Sequence, residues 1–280
     1  MLNNDQASAS KSFLNLACGA SYVQDASWVN LDYTPIGRGV IKANLLGRLP
    51  FRTPRFDMVY TSHFIEHIPR HRVSSFLTEC RRVLHIGGTI RIVVPDFEEM
   101  CKTYLHHISA GSSAVAEYMA MEILDQCVRK RSGGELAELF DTVASERNED
   151  LAHFIFRRCG QDLRTSRVRS EMAGIALPPS LATRCRSYFE RRYIRTICRL
   201  LPRAFREQNV SLAEVGETHA WLYDFRSLSS LVQAAGFKEM KRMQFDTTRE
   251  PEFPIVPLDA TPNGEPRKGE QSLYLEAVAA

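Results

Sequence analysis

Five short apolar runs in the first hundred residues each break off at a glycine or a polar side chain, and that rhythm narrows the possible folds most. Phe13-Leu14-Asn15-Leu16-Ala17 ends at Cys18-Gly19, and Trp28-Val29-Asn30-Leu31-Asp32 ends in an acid. Val40-Ile41-Lys42-Ala43 leads to Asn44, and Phe56-Asp57-Met58-Val59-Tyr60 runs into Thr61-Ser62-His63. Thr89-Ile90-Arg91-Ile92-Val93-Val94 runs into Pro95-Asp96. Such runs read as buried strands. Between the last two, Val73, Phe76, Leu77, Cys80, Val83 and Leu84 recur at helical spacing, and Gly87-Gly88 offers a stop. Strands with helical crossovers specify a parallel sheet in an α/β fold, with ligands at the C-terminal strand ends.

After Asp96 the pattern changes. From about Glu98 to Asn209 the periodicity is helical, broken at Ser132-Gly133-Gly134 and Leu177-Pro178-Pro179. The α/β pattern then resumes. Asp224 or Ser227 caps a helix through Leu228, Leu231, Val232 and Ala235, which Gly236 ends. Phe237 to Phe245 and Ser272 to Val278 read as strands, with a long loop between them. The expected organisation is a flexible tail at 1–11, a core from 12–97 and 218–280, and a helical insertion at 98–217.

The chain of 280 residues carries a net charge of +3, which hides an uneven distribution. Between Leu151 and Val210 lie 13 Arg, no Lys and four acids (Asp162, Glu171, Glu190, Glu207), a local charge of +9 that leaves −6 for the rest. With 44% hydrophobic and 25% charged residues the composition is that of a globular protein, and disordered and collagen-like classes fall away. No apolar run approaches the roughly 18 residues of a membrane span, and MLNNDQASASK lacks a signal-peptide pattern, so a cytoplasmic protein is expected. Seven cysteines without a CxxC pair read as reduced thiols.

Gly19 alone is an ordinary turn glycine, and Asp32 alone an ordinary turn or cap residue. Together they suggest a nucleoside site, because a carboxylate at the end of the second strand can accept hydrogen bonds from both ribose hydroxyls. The spacing of 13 residues is short for a dinucleotide fingerprint, which wants about 20 and a glycine-rich pyrophosphate cradle. A nucleoside cofactor without a pyrophosphate fits better.

At this point LNLACG, WVNLD, LPFRTPRFDMVYTSHFIEHI, ECRRVLHIGGTIRIVVPD, HAWLYDFRSLSSLVQAAGF and SLYLEA, taken in order, resemble the class I S-adenosylmethionine-dependent methyltransferases, in particular their UbiE-like or type 11 group. The resemblance covers residues 12 to 100 and 218 to 279. It implies a Rossmann-like, doubly wound, mostly parallel seven-stranded sheet, here with a helical insertion as a cap. It also implies S-adenosyl-L-methionine as cofactor. Gly19 looks like the glycine beside the methionine part, with Asn15, Ala17 and Cys18 next to it. Asp32 is similar to the ribose-binding acid and Asn44-Leu45 to the adenine-side segment. Ser62 and His63 lie where the family closes over its cofactor. The sequence departs from the family in having one glycine in that loop and Asn44 where an Asp is common.

A rival motif overlaps this segment. His63-Phe64-Ile65-Glu66-His67 has the H-x-x-E-H letters of inverted zincins. Two histidines four apart bind zinc from one face of a long helix, whereas Pro69 limits any helix here to about a turn. No metal is expected, and Glu66-His67 reads as pocket wall, with a hydrogen-bonded structural histidine as the alternative for His67.

Methyl transfer is an in-line displacement that a closed site accelerates by positioning. An alcohol acceptor calls for a general base. The candidates are His63, Asp96, His219 and Tyr223. Asp96 is equally a helix N-cap, and Trp221 or Tyr223 equally a packing residue. In the insertion Phe189, Tyr193, Ile197, Leu200 and Leu201 share one helix face while Arg191, Arg192, Arg195, Arg199 and Arg203 crowd the other. Such a helix over 184–206 can pack its apolar face on a core, contact an anionic membrane surface, or hold a phosphate-bearing substrate. No nucleic-acid motif is present. The resemblance is closest to methyltransferases acting on small molecules and surface saccharides, so O-methylation of a small molecule or a phosphate-linked saccharide is the expected reaction. The alternatives are a non-catalytic scaffold of the same fold and, third, the zinc metallopeptidase.

Overall fold

The short apolar runs do form one sheet. The computed structural model describes residues 11–163, 181–213 and 216–280. The expected tail and the break at Leu177-Pro178-Pro179 lie outside the described residues, apart from Lys11. The strands are β1 (Phe13–Leu16), β2 (Trp28–Asp32), β3 (Val40–Lys42), β4 (Phe56–Ser62), β5 (Leu84–Pro95), β6 (Phe237–Met243) and β7 (Ser272–Ala279). They make a seven-stranded sheet in the order β3-β2-β1-β4-β5-β7-β6. All neighbours are parallel except β7, which is antiparallel to both β5 and β6. This is the α/β, mostly parallel seven-stranded architecture that the sequence leads one to expect.

The order in which successive strands are added reverses between β1 and β4, so the switch point lies between Leu16 and Thr61, which are paired in register. The crossover from β4 to β5 is helical, through α1 (Arg70–Val83). Those from β1 to β2 and from β2 to β3 contain no helix. The α1 helix buries Val73, Phe76, Leu77, Cys80 and Val83, the periodic set of the sequence. It does not run on to Gly87-Gly88, however. Leu84 is already extended and pairs with Phe56, while Thr89 pairs with Met58, so residues 85–88 bulge out of β5. A Cβ on Gly88 would sit 2.9 Å from the His85 carbonyl and 3.0 Å from that of Asp57, so the bulge closes only on glycine.

One face of the sheet carries Leu14, Leu16, Leu31, Ile90, Ile92 and Leu275 against α1 and α8 (Phe225–Ala234). Asp224 and Ser227 build a capping box at the start of α8, so both sequence candidates take part in one device. The other face packs Phe13, Trp28, Met58, Tyr60, Val93 and Tyr274 against Phe253 and Leu258 of the segment before β7. Arg91 is fully buried on that side and pairs with Asp259 (2.7 Å) and Glu276 (2.7 Å), while Tyr60 donates to Asp259 (2.7 Å). The outer strand β6 is irregular between Lys238 and Lys241, with Glu239 at φ 55°.

The chain divides into two compact units, Met1–Glu99 with Arg158–Gly160 and Ala220–Ala280, and Met100–Arg157 with Gln161–His219. The short central piece joins the sheet unit because the Gln271 N–H donates to the Arg158 carbonyl and Arg158 pairs with Glu99 (2.9 Å). The second unit is helical, as its periodicity predicts. It takes in most of α2 (Phe97–Ser109) and α5 (Glu149–Cys159), and all of α3 (Ser113–Val128), α4 (Gly134–Glu146), α6 (Leu181–Leu200) and α7 (Arg203–Asn209). Its own core includes Tyr118, Met119, Leu136, Val143, Leu151 and Ile155. The break at Ser132-Gly133-Gly134 separates α3 from α4, and there Asp125 accepts the Glu135 N–H (2.7 Å) and pairs with Arg129. Cys18, Cys80, Cys101, Cys127, Cys159 and Cys198 are free thiols.

Candidate functional site

Register brings the sequence candidates of the sheet unit to one edge. Leu16 pairs with Leu31 and with Thr61, so Ala17, Asp32 and Ser62 leave the sheet side by side. The Asp32 carbonyl accepts the Ala43 N–H (2.9 Å), which sets Asn44 one residue further along the same edge. Asn15 is buried inside β1, donating to the Ser21 carbonyl (3.0 Å) and to Asn30 Oδ1 (3.3 Å). It shapes the loop after β1 from within.

That loop is held by Asp32. Its Oδ2 accepts the Gly19 N–H (2.9 Å) and its Oδ1 the Thr34 N–H (2.7 Å), so one carboxylate ties together two turns. Ala17 has φ 56° and Gly19 φ 51°, the left-handed region. A Cβ on Gly19 would meet nothing within 4 Å, so the backbone here is open to an approaching group. Cys18 is buried, and burial, followed by the Asp32 charge, pushes its thiol up to about 12, so it stays protonated. Asn44 Oδ1 accepts the Leu46 N–H (3.1 Å) and Leu45 is buried.

At the end of β4 a third left-handed residue, His63 with φ 50°, turns the chain into a single 3-10 turn, Ile65–His67. The H-x-x-E-H letters therefore span a strand end and one turn, and the two histidines do not share a helix face. His63 Nε2 is 3.0 Å from Ser272 Oγ, and its Nδ1 is 3.5 Å from Glu66 Oε1. His67 Nε2 is 3.9 Å from the same oxygen. The Glu66 carboxyl is fully buried and finds no hydrogen-bond donor among the described residues. Burial raises its pKa to about 8, against a smaller opposing effect of Lys268.

The segment after the insertion lies against this turn. The Ala220 N–H (2.6 Å) and Trp221 N–H (3.1 Å) both donate to the Glu66 carbonyl, and the Arg70 guanidinium lies 4.2 Å from the Trp221 ring centre. Tyr223 is buried with its hydroxyl unpartnered among the described residues, and burial pushes it up to about 12. It bridges to Asp96, and the Phe97 N–H donates to its carbonyl (3.0 Å).

The four proposed bases thus separate. Asp96 is committed: Oδ1 accepts the Glu99 N–H (3.3 Å) as the cap of α2, and Oδ2 pairs with Arg242 of β6. Burial raises its pKa while Arg242 opposes. His219 belongs to the helical unit, where its N–H donates to the Gln126 carbonyl (2.8 Å). Tyr223 keeps its proton at neutral pH. His63, with a carboxyl behind one nitrogen and a hydroxyl before the other, has the arrangement of a proton acceptor. The sequence reads Glu66 as pocket wall and carries no local sign of Ser272, which stands 209 residues from His63.

Residues 16–92 match the family model described as a methyltransferase domain. No curated protein matches the chain. Among solved structures the chain is similar to the YcgJ protein of Bacillus subtilis, with 19% identity, 36% of this chain and 52% of that chain covered, and a TM-score of 0.27. A putative methyltransferase of Bacillus halodurans is 21% identical over 35% of this chain and 52% of that one, with a TM-score of 0.26. The chain spans about half the length of these two. A possible histamine N-methyltransferase of Thermotoga maritima is 11% identical over 97% of this chain and 83% of that one, with a TM-score of 0.38. The matched residues run from the end of β1 to the middle of β5 and include Asp32, Ser62, His63 and Glu66, so the resemblance to a methyltransferase domain rests on the part of the sheet that carries the candidate site.

Proposed function

We propose that the protein is an S-adenosylmethionine-dependent methyltransferase that methylates an oxygen of a small molecule or a saccharide. The observation that carries this reading is the convergence of Gly19, Asp32, Asn44, Ser62 and His63 at one sheet edge within the matched domain. The residues fit the cofactor: the space beside Gly19 is open, and each Asp32 oxygen engaged by an N–H keeps a second lone pair for a ribose hydroxyl. Asn44 Oδ1 likewise keeps one lone pair for an adenine amino group. Ala17, Cys18 and Leu45 line the same edge, and Asn15 shapes its loop. When bound, the cofactor supplies an electrophilic methyl group.

The rest is work for the chain's own side chains. In the Nδ1–H tautomer, His63 directs that proton toward Glu66 and leaves Nε2 to accept one. The Ser272 hydroxyl holds the place of an acceptor hydroxyl, 3.0 Å from Nε2. As the acceptor loses its proton to Nε2, the imidazolium forms with its Nδ1–H directed at Glu66 Oε1, 3.5 Å away, a polar oxygen that orients the ring. A phosphate-linked saccharide is the acceptor class we favour, because 13 arginines between Leu151 and Val210 make one part of the chain strongly cationic.

Calorimetric titration of the full chain with S-adenosylmethionine and S-adenosylhomocysteine tests the cofactor assignment, with micromolar binding expected. Absence of binding to either would favour a non-catalytic scaffold of the same fold. With an acceptor in hand, from a methyl-donor screen of lysate fractions, His63→Asn is expected to lower kcat by about 10²-fold or more. Undiminished turnover would transfer the base role elsewhere.

A further inference from the structure

The α6 helix does not use its apolar side as a core helix does. At about 100° per residue, Phe189, Tyr193, Ile197 and Leu200 fall within roughly 80° of the helix circumference. All four are exposed, Phe189 and Tyr193 by 66% and Leu200 by 80%, so the expectation that this face packs on a core does not hold. On the other side Arg192, Arg195 and Arg199 are also exposed, and none of the three has a carboxylate partner among the described residues. Over Leu181–Leu200 six arginines stand against Glu190 alone, a charge of +5 on a helix about 30 Å long. Aromatic residues on the exposed face continue beyond the helix, where Phe205 is exposed on α7. The far end is anchored within the helical unit: Lys130 Nζ donates to the Glu207 (2.6 Å) and Gln208 (2.8 Å) carbonyls, and the Leu212 N–H donates to the Lys130 carbonyl (2.7 Å).

We propose that α6 is a membrane-surface helix, lying in the headgroup layer of an anionic bilayer with Phe189, Tyr193, Ile197 and Leu200 inserted and Arg192, Arg195 and Arg199 among the lipid phosphates. The combination of an exposed apolar stripe over 189–200, aromatic side chains and, on the other side, Arg192, Arg195 and Arg199 without a carboxylate partner among the described residues fits that environment on both sides. No helix among the described residues is long and apolar enough to cross a membrane, so the contact is one of lying on the surface. A second copy of the chain is a poorer occupant. A stripe of about 17 by 10 Å, from Phe189 to Leu200, offers roughly 170 Å², against the ~800 Å² per partner of a stable interface. It would also bring two helices of charge +5 together.

The test is co-sedimentation of the full-length protein with vesicles of phosphatidylcholine alone and with about 30% phosphatidylglycerol added. Binding to the anionic vesicles alone is expected, weakened at least tenfold when salt is raised from about 0.05 to about 0.5 M. Phe189→Ser with Leu200→Ser should abolish it, and Arg192→Glu with Arg195→Glu should lower affinity more than tenfold, with circular dichroism unchanged in both. No binding to anionic vesicles, or binding that neither pair of substitutions weakens, overturns the proposal. So does a dimer in light scattering that Phe189→Ser disperses, which would make a second copy the occupant. The assay needs neither cofactor nor acceptor, so its failure is distinct from failure of the methyltransferase reading.

Discussion

Asp32 carries two loads that a conservative substitution separates. Its oxygens fix the turns at Gly19 and Thr34, and in the function proposed above its charge serves a ribose. Asp32→Asn retains an acceptor for one N–H but loses the charge. Hydrogen bonds to an ionised group are worth about 1.5 to 3 kcal/mol, so cofactor affinity should fall about 10- to 100-fold by calorimetry, with a smaller effect on the melting temperature. Glu66 makes a different statement. Its pKa is raised from 4.5 to about 8, so the folded protein binds more protons than the unfolded chain across that interval. The favourable contribution of the protonated carboxyl is complete below the lower value and is lost as pH rises through the upper one. Relative to Glu66→Gln, the native protein should therefore lose stability between about pH 5 and about pH 9, read by urea unfolding at both ends. The groups facing it are His63, His67, Lys268 and Tyr223. A native profile parallel to that of the variant would contradict the burial of this charge.

At the scale of elements, the sheet face of Phe13, Trp28 and Tyr60 hangs on Arg91. Its guanidinium joins β5 to Glu276 on β7 and to Asp259, and also donates to the Thr247 (2.9 Å) and Gln244 (3.2 Å) carbonyls, pinning the long segment before β7. Arg91→Met keeps the volume but strands two buried carboxylates, and removal of one member of such a network costs about 3 to 5 kcal/mol. Adding Asp259→Asn should recover part of that loss in chemical unfolding, because one stranded charge disappears. This network also marks where reading the sequence stops. The strands were legible because alternation and β-branching act locally, and Asp224 with Ser227 because a cap lies three residues from its partner. The segment before β7 looked like plain loop, since Asp259 meets Arg91 across 168 positions and no local pattern records that. The α1 helix ends before Gly87-Gly88 for a related reason: Leu84 leaves the helix to pair with Phe56, a tertiary demand that overrides the helical spacing. At the site, the glycine and the acid were visible as chain order, whereas the proton chemistry of Glu66 arises from burial alone.

The whole molecule holds two units with separate cores, one around Leu14, Leu77 and Ile92 and one around Tyr118, Leu136 and Ile155. Differential scanning calorimetry should accordingly give a calorimetric enthalpy larger than the van't Hoff value, and a ratio of one would mean that the two cores melt together. The sheet itself ends in unlike strands. On one side β3 is only three residues long, and on the other β6 is Phe-Lys-Glu-Met-Lys-Arg-Met with a kink at Glu239. A short strand and a kinked, charged one give an incoming backbone almost no continuous ladder to extend. Concentrated or partly unfolded samples are thereby guarded against fibril-like stacking, a protection seated in the two outermost strands and independent of whatever the switch point between β1 and β4 binds.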